Sequence, residues 1–108
     1  MHIRKILAIS LLLATTLHAG AADLLDTVKQ RGTLRVAMEG TYPPFNYKEN
    51  GQLAGFEVEL SNALAQKLGV KADFTTGEWS ALLAGLQAGK YDVVINQVGI
   101  TDKRKETF

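Results

Sequence analysis

The chain has 108 residues, room for one small domain, and its twelve Lys and Arg against eleven Asp and Glu give a net charge of +1, which leaves no basic footprint for nucleic acid or an anionic membrane. It contains no cysteine, so disulfides, thiolate metal sites, thiol nucleophiles and a lipid-modified cysteine are excluded. Both histidines, His2 and His18, lie within the first 22 residues, so the remainder also lacks an imidazole base or metal ligand.

Those first residues read as a secretory leader. His2, Arg4 and Lys5 make a short polar, positive start, and Ile6 to Leu17 is apolar apart from Ser10, Thr15 and Thr16. Ala19-Gly20-Ala21-Ala22 then offers the small residues a signal peptidase needs. The apolar run is well short of the ~20 residues that span a bilayer. Residues 1–22 are expected to be removed on the Sec pathway, without a lipid anchor, which releases residues 23–108 into an extracytoplasmic space, a bacterial periplasm. Without Arg4 and Lys5, ten basic residues face eleven acidic ones.

From Asp23 the chain reads as alternating helices and strands. Asp23 to Arg31 is a short amphipathic helix closed by Gly32. Thr33 to Met38 is a strand, and Glu39 to Tyr47 a loop stiffened by Pro43-Pro44, the only prolines in the chain. Glu49-Asn50-Gly51-Gln52 is a turn, because Asn-Gly readily supplies positive φ, and it joins Phe45–Lys48 to Leu53–Ala54 as a small hairpin. Phe56, Leu60, Ala63, Leu64 and Leu68 recur at helical spacing up to Gly69. Glu57 and Glu59 sit in the first turns, where a carboxylate suits the helix dipole. Val70 to Thr75 is a second strand. Trp79, Leu82, Leu83 and Leu86 mark a further helix, closed by Gly89. Tyr91 to Val98 is a strand whose β-branched run suits burial on both faces. Thr101 or Asp102 caps a last short helix through Lys105.

This alternation predicts an α/β fold on a mostly parallel sheet with flanking helices. Ligands of such sheets bind beyond the carboxyl ends of the strands. Those ends run out into Glu39–Phe45, toward Trp79, and into Asn96–Arg104. The shared rim holds aromatics, an acid, amides and a guanidinium, with no nucleophile–base pair. A guanidinium fork fits a carboxylate, aromatic faces pack a side-chain stem and attract an ammonium, and amides donate and accept. The set suits a small zwitterion. Each member has a plainer use as well: Trp79 is in phase with Leu82 and Leu86 as core, Tyr42 and Phe45 as packing beneath a loop, Asn96 and Gln97 as satisfaction of a strand end, and Arg104 as part of a solvated charge run.

The stretches GTLRVAMEGTYPPF, GFEVELSNALAQKLGV, WSALLAGLQAGKYDVVI and ITDKR together resemble the family-3 periplasmic solute-binding proteins, receptors of ABC importers for polar amino acids. EGTYPPF with VVINQV is most similar to the L-cystine-binding branch. The resemblance implies a receptor of two α/β lobes that close on the ligand, of which residues 23–108 would be an incomplete first lobe in a longer chain. It implies L-cystine or a related amino acid as ligand, a membrane ABC permease as partner, a monomer when complete, and no cofactor, metal or nucleic acid. It implies that Tyr42 and Trp79 meet the ligand side chain, that Glu39 meets a polar group on it, and that Asn96, Gln97 and Gly99 line the segment facing the α-ammonium and carboxylate. Arg104 would clamp the α-carboxylate. Gly99 stands where many members carry Ser or Thr. The same fold also serves periplasmic dehydratases of cyclohexadienyl acids, domains attached to lytic transglycosylases, and sensory domains.

Overall fold

The computed structural model describes residues 23–108. The expected leader, residues 1–22, lies outside the described residues. Helix α1, Leu24–Arg31, starts where the Asp23 side chain accepts a hydrogen bond from the Asp26 amide at 2.8 Å, and stops at Gly32 with φ 78°. Only glycine takes that left-handed backbone without penalty. Strand β1, Thr33–Met38, follows directly.

Strand β1 is the centre of a three-stranded parallel sheet. It pairs along its whole length with β5, Lys71–Thr76, and through Val36 and Ala37 with β6, Val93–Val94, in the order β5-β1-β6. Parallel neighbours require crossovers, and two helices supply them: α2, Phe56–Lys67, ahead of β5, and α3, Trp79–Gln87, ahead of β6. The alternation of a strand sends Leu34, Val36 and Met38 to one face, where they pack with Val28, Val58 and Ala65. Ala37 points the other way, to Leu82 and Tyr91. The result is an α/β/α layering around a strand that is buried nearly throughout.

Between β1 and α2 the expected loop is partly strand. Thr41–Tyr42 (β2), Asn46–Glu49 (β3) and Gln52–Ala54 (β4) form an antiparallel meander that places Tyr42 opposite Asn46. The reason is a tight turn through the two prolines, closed by the Phe45 amide donating to Tyr42 O at 2.9 Å. The predicted hairpin across Asn50-Gly51 is present, with both residues at positive φ.

Two other expectations are revised. The stripe that carries the helical signal of α2 is not its buried face: Phe56, Leu60 and Leu64 are 61%, 47% and 37% exposed, whereas Glu57, Val58, Ser61 and Ala65 are buried. Ser61 and Ala65 are small enough for close approach to the sheet, and the Ser61 hydroxyl is satisfied by Glu57 O at 2.6 Å. Strand β6 is shorter than Tyr91–Val98, and its valines are only half-buried. Its ladder to β1 ends with the Ile95 amide on Ala37 O, beyond which Gln97 turns into the left-handed region at φ 49°. The last helix, α4, Asp102–Lys105, is capped by the Thr101 hydroxyl, which accepts from the Arg104 amide at 3.1 Å.

Candidate functional site

The carboxyl ends of β1, β5 and β6 open on one rim, and the structure divides the residues there into three groups. The first is built on the Tyr42–Phe45 turn. The N-terminus of α2 has no side-chain cap; its Phe56 and Glu57 amides donate instead to Pro44 O at 3.3 Å and Phe45 O at 2.8 Å. Helix and turn therefore hold one another, and a Cβ at Gly55 would collide with the Pro44 and Phe45 carbonyls. On that support Tyr42 is 42% exposed, with its ring 5.1 Å from that of Phe45 and tilted by 49°.

The second group joins α3 to the segment after β6. Trp79, the first residue of α3, is 38% exposed despite being in phase with buried Leu82. The Arg104 guanidinium lies 5.6 Å from the centre of its ring, within cation–π range. Arg104 Nη1 donates to Gly99 O at 3.0 Å. That bond orients the fork without exhausting its five N–H donors. Gly99 comes within 3.7 Å of this guanidinium, measured from an added Cβ, so a larger residue would fit.

The third group is a buried polar network. Asn96, 5% exposed, accepts from the Glu39 amide at 2.8 Å through Oδ1 and donates to Glu39 Oε2 at 2.8 Å through Nδ2. Asn46, fully buried, donates through Nδ2 to Asn96 Oδ1 at 3.0 Å and to Glu57 Oε1 at 2.8 Å, and accepts from the Gly40 amide at 2.6 Å. Glu57 Oε2 accepts from the Gln97 amide at 2.8 Å. The exits of β1 and β6 are thereby tied to each other through α2 and β3. Beside Glu39, a cleft of about 360 Å³ opens toward Thr41, Lys48, Thr76 and Glu78.

Of the seven residues singled out from the sequence, Trp79, Gly99 and Arg104 are in direct association, Glu39 and Asn96 are in another, and the Gln97 backbone joins the latter through Glu57. Tyr42 stands apart from both on its own turn. Asn46 and Glu57 were not singled out. The usable signal was phase: Glu57 shares a helix face with the small residues Ser61 and Ala65, which is the face a helix turns inward when it packs closely. Among the described residues no group of three or more His, Cys, Asp or Glu is placed to hold a metal ion, and no helix is long and apolar enough to cross a membrane.

Residues 34–108 match the family described as bacterial extracellular solute-binding proteins, family 3. The L-cystine-binding protein TcyJ of Escherichia coli K12 is 45% identical over 105 residues, covering 95% of this chain and 40% of that protein. Among solved structures, the L-cystine solute receptor of Neisseria gonorrhoeae in its unliganded open form superposes with a TM-score of 0.70 at 44% identity, over 78% of this chain and 37% of that one. An ancestral cyclohexadienyl dehydratase superposes with a TM-score of 0.74 at 41% identity, over 80% and 36%. The chain thus spans about two-fifths of the length of these proteins.

Proposed function

The chain belongs to the bacterial extracellular solute-binding proteins, family 3, and from that premise we propose that it forms one side of the ligand cleft in the substrate-binding component of an ABC importer for a polar amino acid, L-cystine. The observation that carries this reading is the guanidinium of Arg104, set at the strand-end rim by Gly99 O and the Trp79 ring with most of its donors open. A planar fork so placed suits the α-carboxylate of an amino acid. Trp79 and Tyr42 supply exposed aromatic faces for the ligand side chain. Gln97 and Gly99 lie on the backbone between the two polar groups and face the ammonium and carboxylate. Glu39 meets a polar group further along the ligand, and Asn96, whose amide is engaged with Glu39 and Asn46, acts by holding Glu39 in place.

We read the protein as a binder, not an enzyme, although the fold also hosts a dehydratase. The relatives named for L-cystine in Escherichia coli and Neisseria gonorrhoeae support that reading, and the groups at the rim suit recognition of a small zwitterion. The reading includes removal of residues 1–22, a periplasmic location, delivery to a membrane permease and a monomeric receptor. The test is calorimetric titration of the protein carrying this sequence, expressed in full, with L-cystine, L-arginine and L-glutamine, beside an assay for dehydration of prephenate. Saturable binding led by L-cystine with no turnover is expected. Turnover of prephenate, or no binding of any of the three amino acids, would overturn the reading.

A further inference from the structure

The carboxyl of Glu57 is the one buried acidic group at the rim that ligand recognition leaves without a task. It is 2% exposed, so it meets no ligand directly. It is not serving as a cap for α2, whose first amides are taken by Pro44 O and Phe45 O. Nor does it join any of the three ion pairs found among the described residues. Its oxygens instead receive one N–H each, from Asn46 Nδ2 and from the backbone of Gln97. Both partners can only donate at those atoms, so both oxygens are required as acceptors.

Gln97 is where this matters. Apart from Asn50 in the β3–β4 turn, it is the only non-glycine residue among those described with positive φ. An L-residue enters that region reluctantly unless its surroundings hold it there. The turn at Gln97 sends the chain from β6 into Gly99, Thr101 and Arg104. Asn46 completes the arrangement: it fixes Glu57 Oε1 while its own Oδ1 holds the Gly40 amide at the exit of β1.

Building on the receptor reading above, we propose that Glu57 is a positioning residue for ligand binding. Its carboxyl, braced by Asn46, holds the Gln97 N–H and with it the left-handed turn that sets the Gln97–Arg104 segment at the rim.

The test is a two-by-two set in the full protein carrying this sequence: unaltered, Glu57→Gln, Gln97→Gly, and both together, each titrated calorimetrically with L-cystine. Glutamine keeps the size of the side chain but sets an NH2 group against one of the two donors. Glycine adopts φ 49° freely and does not need to be held. Glu57→Gln is expected to weaken binding about tenfold, the range for an unsatisfied buried donor, but by less than about threefold once Gln97 is glycine, the difference being the coupling a double-mutant cycle reads. An equal factor in both backgrounds, or no loss in either, overturns the proposal while leaving the receptor reading intact. Absence of L-cystine binding by the unaltered protein sinks the receptor reading and the proposal with it. Should Glu57→Gln not fold, Glu57→Asp withdraws the carboxyl by one methylene and is read by the same cycle.

Discussion

At the entry end of the sheet a buried acid is matched by cations, and at the exit end one buried and one half-buried acid are matched by amides. Asp92, with a fully buried side chain, takes Arg31 Nη1 at 2.7 Å, Arg35 Nη2 at 3.1 Å and the Arg35 amide at 2.7 Å. These bonds pin α1 and the start of β6 to β1. Burial pushes the Asp92 carboxyl up, but the hydrogen bonds from Arg35 and Arg31 and the charge of Arg35 outweigh it and hold the group below its ordinary value. At the other end Glu57 and Glu39 are held by Asn46, Asn96 and backbone N–H groups. The contrast separates two uses of buried polarity. Paired charge at the entry end serves the fold, whereas the acids at the exit end are held by amides and, among the described residues, form no ion pair with Arg104, which leaves its guanidinium for the carboxylate that the receptor reading assigns to it.

The largest effect is expected at Asp92. Asp92→Asn removes the acid and leaves two guanidiniums facing each other, a loss of about 3 kcal/mol, at the low end for a broken buried pair because both arginines are partly exposed. Urea unfolding is expected to show that loss while the folded protein binds L-cystine with unchanged affinity. A large drop in affinity would mean that the two ends are not separate. The converse change is Arg104→Lys. A point ammonium cannot reproduce the fork, so affinity should fall by at least ~1.4 kcal/mol, tenfold, with the urea midpoint unmoved. Calorimetry showing full affinity would return Arg104 to the solvated charge run.

Acid gives a gentler probe of the entry end. The carboxyl of Asp92 is lowered from 3.8 in the folded state, so unfolding takes up a proton that the native state refuses. Its contribution to stability is whole above that ordinary value and is lost as pH falls through the depressed one. Stability measured downward from pH 5 should therefore fall less steeply in Asp92→Asn than in the unaltered protein; parallel curves would remove Asp92 from the account. The smallest effect belongs to Gly99→Ser. A Cβ there meets Arg104 at an ordinary contact distance, and the backbone is not in the left-handed region, so stability should change by less than about 0.5 kcal/mol. A larger loss by thermal melting would show that the segment is packed more tightly than described.

What could be read from the sequence follows the same division. Gly32, the Asn50-Gly51 turn and a cap at Thr101 or Asp102, which the structure gives to Thr101, were legible because their causes lie within a few residues. Strand β1 was legible because its apolar content suits a strand buried nearly throughout. The rim was located because strand ends share one side of a parallel sheet. Glu57 was not, because its place in the first turn of α2 already had a sufficient local explanation, while its partners Asn46 and Gln97 lie 11 and 40 residues away. The inward face of α2 was misleading for a related reason: small residues and one carboxyl set it, whereas larger apolar residues carried the visible period. Asp92, Arg31 and Arg35 likewise meet only when β6 pairs with β1.

Ligand binding confined to the exit end, with the entry end untouched, can be read by backbone amide NMR on the full protein carrying this sequence. On titration with L-cystine, the amide signals of Glu39, Gln97, Gly99 and Arg104 should move, and those of Arg31, Arg35 and Asp92 should hold still. Movement concentrated at Arg31, Arg35 and Asp92, with the rim unchanged, would put the ligand at the entry end instead.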